Sequence, residues 1–236
     1  MHLKRITAPD DYRQKKKELK FSTAVCPGPH KAEKSIPLAI VLRDILHYAA
    51  IGKEAKRIVS KREILVDAKP RTNHKYGVGF MDIISIPKTG EFFRVVIKDK
   101  KLILSRINKK EADLKICKIT GKSKIKKGIV QLHFHDGRNI SLDSKDKNVA
   151  NYKVSDSLAI SLPKQEIKQH LPLGKDACVM ITEGKNKGII GTVSLIKQSK
   201  GFKPDSYTVK TKDEEHITIK PYIFVIGKKE PLIDLE

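Results

Sequence analysis

Residues 181–193 read ITEGKNKGIIGTV, and their reading decides the fold of the last part of the chain. Gly184, Gly188 and Gly191, with Lys185 and Lys187, sit between runs of β-branched residues. A phosphate-binding loop of the G-x-x-x-x-G-K-[ST] type lies between a strand and a helix and ends on Lys-Ser or Lys-Thr. No such pair follows here, and the next segment is strand-like, so no helix N-terminus is available to receive a phosphate. The stretch is read instead as strand, basic turn, strand. Glycine permits sharp turning and close backbone approach. Lys185 and Lys187 are expected to project from the tip, where phosphates can meet them.

Other chemical motifs fail similar tests. TGKSK at 120–124 ends correctly, but Ile116 stands where the first glycine of a phosphate loop belongs. HFHD at 133–136 puts His133 and His135 on one strand face, without an evident third ligand, and CPGPH with Cys26 and His30 is no better. No metal site is therefore expected. There is no nucleophile elbow, paired-carboxylate signature or H-E-x-x-H. Catalytic residues, a cofactor and a small-molecule substrate are not expected. Cys26, Cys117 and Cys178 are widely spaced and odd in number, which points to free thiols in a reducing, cytoplasmic setting.

Charge supplies the positive signal. The 236 residues carry 49 Lys and Arg against 27 Asp and Glu, a net +22, with a pI near 9.8. The excess is +5 over residues 1–34, +5 over 35–75, +9 over 100–130 and +3 over 173–227. Such dispersal suits a chain that meets phosphates on many sides better than one tethered to a membrane by a single basic patch. No stretch has the length and apolarity of a membrane span, and residues 1–20 are too polar for a secretory signal. Tryptophan is absent and aromatics make up 6%. That scarcity favours folded RNA, recognised by shape, phosphates and 2′-hydroxyls, over stacked single strands.

Residues 1–36 form a basic extension, with a possible short helix from Pro9 to Lys20. It is either a solvated arm or a segment that orders on RNA. Leu38, Val41, Leu42, Ile45, Leu46 and Ala49 follow the spacing of one buried helix face, with Pro37 in the first turn and Gly52 at the stop. A second helix is expected from Lys53 to Ser60, with Ala55, Ile58 and Val59 inward. Ile64–Val66 reads as a strand and Asp67–Pro70 as a turn. The exposed residues of this unit are Arg43, Lys53, Lys56, Arg57, Lys61, Arg62, Lys69 and Arg71. Together with Lys185 and Lys187 they are the candidate RNA-binding residues. The lysines of residues 109–127 form a further basic segment.

Beyond Tyr76 the period changes to that of strands: VGFMDIISI, FFRVVIKD and KLILSRI, then KICKI, GIVQLHF, NISL and LAISL. Residues 173–227 add ACVMIT, GIIGTVSLIK, YTVKT, HITI and YIFVIG, the pattern of a small SH3-like barrel. The expected architecture is α+β and multi-domain. It comprises the extension (1–36), a helix–helix–strand RNA-binding module (37–100), a central β domain (101–172) and the barrel with a short tail (173–236).

Two modules resemble known ones. LRDIL and EAKRIVSKREILVDAKPRT resemble the αL, or S4-type, RNA-binding module, with Ala68 in place of the turn glycine. VMITEGKNKGIIGTVSLI resembles a KOW motif. The whole order, with HLKRITAP, GPHK, PLAIVLRD, GFMDIISIPKTGEFFRV, KICKI and YIFVIGKK, resembles the small-subunit ribosomal S4e family of archaea and eukaryotes. The short tail is closer to the archaeal type. The resemblance implies binding to small-subunit ribosomal RNA beside neighbouring ribosomal proteins, a structural part in translation, and no enzymatic activity. Two alternatives share a module with it: an RNA-modifying enzyme of the pseudouridine synthase kind and a KOW-type transcription factor.

Overall fold

The computed structural model describes residues 2–125, 128–143, 147–197, 204–211 and 214–234. The chain divides into two units, one of Met1–Val96 with Lys101–Asp113 and one of Ile97–Lys100 with Leu114–Glu236.

In the first unit, β1 (Leu3–Lys4) pairs with β2 (Phe21–Ser22), and β3 (Ser35–Pro37) leads into α1 (Leu38–Ile40). After α2 (Gly52–Ser60) come β4 (Leu65–Val66), β5 (Lys69–Pro70), β6 (Gly77–Gly79), β7 (Ile83–Ile86), β8 (Glu91–Lys98) and β9 (Lys101–Ile107), followed by the single turn α3 (Lys109–Ala112). β6 pairs with β3, and the main sheet has the order β5-β4-β7-β8-β9.

The first helix differs from the expectation. α1 passes directly into a π-helical segment, Val41–Ile45, in which the Leu46 N–H donates to Val41 O at 2.9 Å. His47 then takes φ 57° and ends it. Five consecutive residues, Leu38 to Leu42, are buried across α1 and the start of this segment, where a regular amphipathic helix would bury every third or fourth. Gly52 does not stop this helix; it opens α2. α2 follows its sequence pattern, with Ala55 and Val59 fully buried. Glu54 accepts from the Ala50 and Ile51 N–H groups and so satisfies donors at its start.

The β4–β5 turn is tighter than expected, because Lys69 and Pro70 are already strand. Asp67 and Ala68 both have positive φ, 51° and 60°. Alanine holds a conformation that glycine adopts more easily. Asp67 anchors it: its N–H donates to Ile83 O at 2.8 Å and its carboxylate accepts from the Ile83 N–H at 3.0 Å.

The N-terminal extension is neither free nor helical over Pro9–Lys20; only a 3-10 turn, Asp10–Tyr12, forms there. Arg5, 4% exposed, donates to Glu18 at 3.0 Å. Asp11 accepts from the Leu102 N–H at 2.9 Å. Tyr12 is 2% exposed, and burial, aided by Asp11, pushes its phenol up to about 12.

The second unit holds two antiparallel five-stranded sheets. The first comprises β10 (Leu114–Ile125), β11 (Ile129–Phe134), β12 (Asn139–Asp143), β13 (Ser157–Ser161) and β14 (Ile167–Leu171), in the order β12-β11-β10-β13-β14. The second comprises β15 (Cys178–Ile181), β16 (Ile190–Lys197), β17 (Ser206–Lys210), β18 (Glu215–Ile219) and β19 (Ile223–Gly227), in the order β18-β17-β16-β15-β19. Alternation sends Val130, Leu132 and Phe134 of β11 into a core with Cys117, Ile119, Leu158 and Ile160. Among the described residues, no helix is long and apolar enough to cross a membrane.

Candidate nucleic-acid interface

Within the first unit, α2 brings most of the predicted basic residues together. With Ala55 and Val59 inward, its period turns Lys53, Lys56 and Arg57 to solvent, and Lys61 and Arg62 continue that exposed surface past its end. Lys69 is exposed on β5. None of these six has a carboxylate partner among the described residues.

The reason lies in where the acids go. Residues 35–75 contain four carboxylates, and each has a local task. Asp44 holds Arg43 through two bonds of 2.9 and 2.8 Å. Glu54 caps α2. Glu63 pairs with Lys88 at 2.6 Å, and Asp67 supports the β4–β5 turn. The surface cations therefore keep an uncompensated positive field, which suits a polyanion.

Arg43 does not join that face. Its Asp44 clamp raises its affinity for a proton further, and it lines a groove of about 770 Å³ with Arg5, Arg13, Gln14 and Glu18. Arg71 is half-buried and stacks on Tyr76, its guanidinium carbon 4.3 Å from the ring centroid. Composition gives no hint of this stack, which depends on how the Arg71–Tyr76 loop turns.

Within the second unit, the glycine-rich turn lies between β15 and β16. Ile181 N–H donates to Ile189 O at 2.9 Å and Gly188 N–H to Ile181 O at 2.7 Å, so the loop closes on itself. Gly191 is needed because a Cβ there would fall 2.5 Å from Lys210 O on β17. Lys185 is exposed, whereas Lys187 is partly buried. Thr182 secures the base of the loop by donating to Tyr222 O from its N–H at 2.8 Å and its hydroxyl at 3.0 Å.

The basic segment 109–127 divides. Lys115, 1% exposed, pairs with buried Asp136 at 2.9 Å, and Arg138 pairs with the same carboxylate at 3.0 Å. Burial pushes the Asp136 carboxyl up, but Lys115, with His135 and Arg138, outweighs it and holds the group down at about 2. Lys118 donates to Pro221 O and Ile223 O, both at 2.6 Å, and Lys122 donates to Val149 O and Tyr152 O. Lys126 and Lys127 lie outside the described residues.

Ligand-type atoms of Cys117, His135 and Asp136 lie within 4.8 Å of one another. Two cations already occupy the carboxylate, and His135 Nδ1 accepts from the Lys118 N–H at 3.2 Å. The cluster therefore has the chemistry of a buried ion pair. His133 does not join it: its ring contacts Ser123 at 2.8 Å and Asn139 at 2.7 Å.

A family model described as ribosomal family S4e matches residues 89–167. The chain is 40% identical over 236 residues to small ribosomal subunit protein eS4 of Methanothermobacter thermautotrophicus, covering 99% of this chain and 95% of that protein. The protein of the same name from Methanocaldococcus jannaschii is 40% identical over 238 residues, with coverage of 99% and 97%. That of Archaeoglobus fulgidus is 39% identical over 238 residues, with coverage of 100% and 98%. Among solved structures, the crystal structure of 30S ribosomal protein S4e from Thermoplasma acidophilum aligns with a TM-score of 0.69 at 33% identity, covering 83% of this chain and 96% of that one.

Proposed function

The chain belongs to the ribosomal S4e family, and from that membership we infer that it is a structural constituent of the small ribosomal subunit, without enzymatic activity, that binds ribosomal RNA and supports translation. The observation that carries RNA binding is the α2 surface, where cations lie exposed while the nearby acids are committed elsewhere. In this reading α1, α2 and the β4–β5 hairpin act as an αL-type module, and β15–β19 form a KOW-type barrel. Lys53, Lys56, Arg57, Lys61, Arg62, Lys69 and Arg71 meet phosphates from the first module, and Lys185 and Lys187 from the second. Arg43 contributes from its Asp44 clamp. The partners are small-subunit ribosomal RNA and adjacent ribosomal proteins, and the setting is the cytoplasm.

Recognition is mainly electrostatic, so affinity falls steeply with salt. The test is sedimentation of a gentle lysate through a sucrose gradient, with RNA and this chain quantified in each fraction. Stoichiometric presence in the small subunit after a moderate salt wash is expected. Confinement to light fractions would overturn the reading.

A further inference from the structure

The arginines that are not fully exposed share one rule with one exception. Arg5 binds Glu18, Arg43 binds Asp44, Arg94 binds Glu111, and Arg138 binds Asp136. Arg71, also half-buried, has no carboxylate among the described residues, and its Nε is shut off from solvent without an acceptor. A desolvated guanidinium donor without a partner is costly, and native structures rarely leave one so. The cation–π contact with Tyr76 compensates in part and holds the guanidinium over the ring.

The surroundings add positive charge. The Arg71–Tyr76 loop is built to hold its shape: Asn73 Oδ1 accepts from the Lys75 N–H at 2.9 Å, and Leu38 and Ala39 N–H groups donate to Tyr76 O and His74 O, both at 2.9 Å. Burial pushes the His74 imidazole below its usual range, and the ammonium groups of Lys56 and Lys75 push it the same way. No carboxylate pulls against them. The loop and the edge of α2 thus bring the Lys56 and Lys75 ammonium groups close to His74, in the same loop as Arg71, and no carboxylate among the described residues offsets them there.

We propose that Arg71, held over the Tyr76 ring, is a preformed fork for a phosphodiester of the bound RNA, with Lys56 and Lys75 adding positive charge beside it. The proposal rests on the RNA-binding reading above and singles out one built contact among the exposed cations. A planar guanidinium matches two phosphate oxygens at once, which an ammonium cannot do. Tyr76 is a positioning residue; it acts through Arg71.

The test measures binding of the full chain to a small-subunit ribosomal RNA transcript over a range of salt, with melting curves for every variant. Arg71→Ala is expected to weaken binding by about tenfold and to lower the salt slope by about one. Arg71→Lys is expected to keep the slope but lose severalfold in affinity. Tyr76→Leu should resemble Arg71→Lys, and Tyr76→Phe should restore wild-type binding. Variant binding within twofold of wild type, at unchanged slope, would overturn the proposal. Arginine modification by phenylglyoxal, read by peptide mass spectrometry, applies the same test to the wild-type chain. Arg71 should be protected by the transcript and not by inorganic phosphate at equal phosphate concentration. Equal protection by both would mark a free-anion site and overturn the RNA assignment, as would no protection by bound transcript. Wild-type chain that binds no RNA would overturn the functional reading as well, which separates the two failures.

Discussion

α2 and β10 are both lysine-rich, yet they use lysine in opposite ways. Lys53, Lys56 and Arg57 of α2 stand in solvent without carboxylate partners among the described residues. On β10, Lys115 is buried in an ion pair, Lys118 clamps two carbonyls, and Lys122, though exposed like Lys124, reaches two more. The difference is geometric. A short amphipathic helix has one buried stripe, filled here by Ala55 and Val59, so long polar side chains fall outside it. A central strand is flanked by neighbours on both sides, and a lysine stem can lie along apolar surface while its head finds an internal acceptor. Local charge density is therefore a poor measure of surface potential until the acceptors are located.

The sharpest way to break this comparison is Asp136→Asn. It leaves Lys115 buried without its counter-charge, and the expected loss of stability is about 3–5 kcal/mol, measured by urea denaturation. A loss below about 1 kcal/mol would mean that the pair behaves like a surface bridge.

Acid titration probes the same group. Asp136 is held at about 2, below its usual 3.8. Because its folded value is depressed, its contribution is full above the unfolded value and is lost as pH falls from near 4 through about 2. The contribution is about 2 kcal/mol, readable as a fall in melting temperature over that window. Lys118→Met should cost about 1–3 kcal/mol, since the Pro221 and Ile223 carbonyls lose a charged donor.

The smallest effect on stability should come from α2. Lys56→Ala and Arg57→Ala should each change stability by less than about 0.5 kcal/mol, yet each should lower the salt slope of RNA binding by about one. If a β10 variant lowered that slope while keeping its fold, or the α2 variants left it unchanged, the division of labour between the two elements would fail.

Much of this was legible in sequence where periodicity is strong. The buried face of α2 and the alternating Val130, Leu132 and Phe134 of β11 follow their periods directly. The π-helical Val41–Ile45 segment was not legible, because a run of apolar residues from Leu38 to Leu42 fits a regular helix equally well on paper. Nor was the Lys115–Asp136 pair, whose members are brought together only by strand pairing. The candidate basic residues of α2 could be named because exposed cations need no partner. The stack of Arg71 on Tyr76 and the retreat of Arg43 onto Asp44 depend on tertiary neighbours that composition does not reveal.

The bond from Leu102 N–H to the Asp11 carboxylate spans 91 residues of sequence. A chain made from its N-terminus exposes Asp11 long before β9 exists. During synthesis the stretch around Lys15–Lys17, though held locally by contacts such as Arg5 with Glu18, gains its Asp11 anchor only once Leu102 has been made, and closing so long a loop is a late and slow event. A nascent chain halted before Leu102 should accordingly be far more open to trypsin in this stretch than one allowed to pass it.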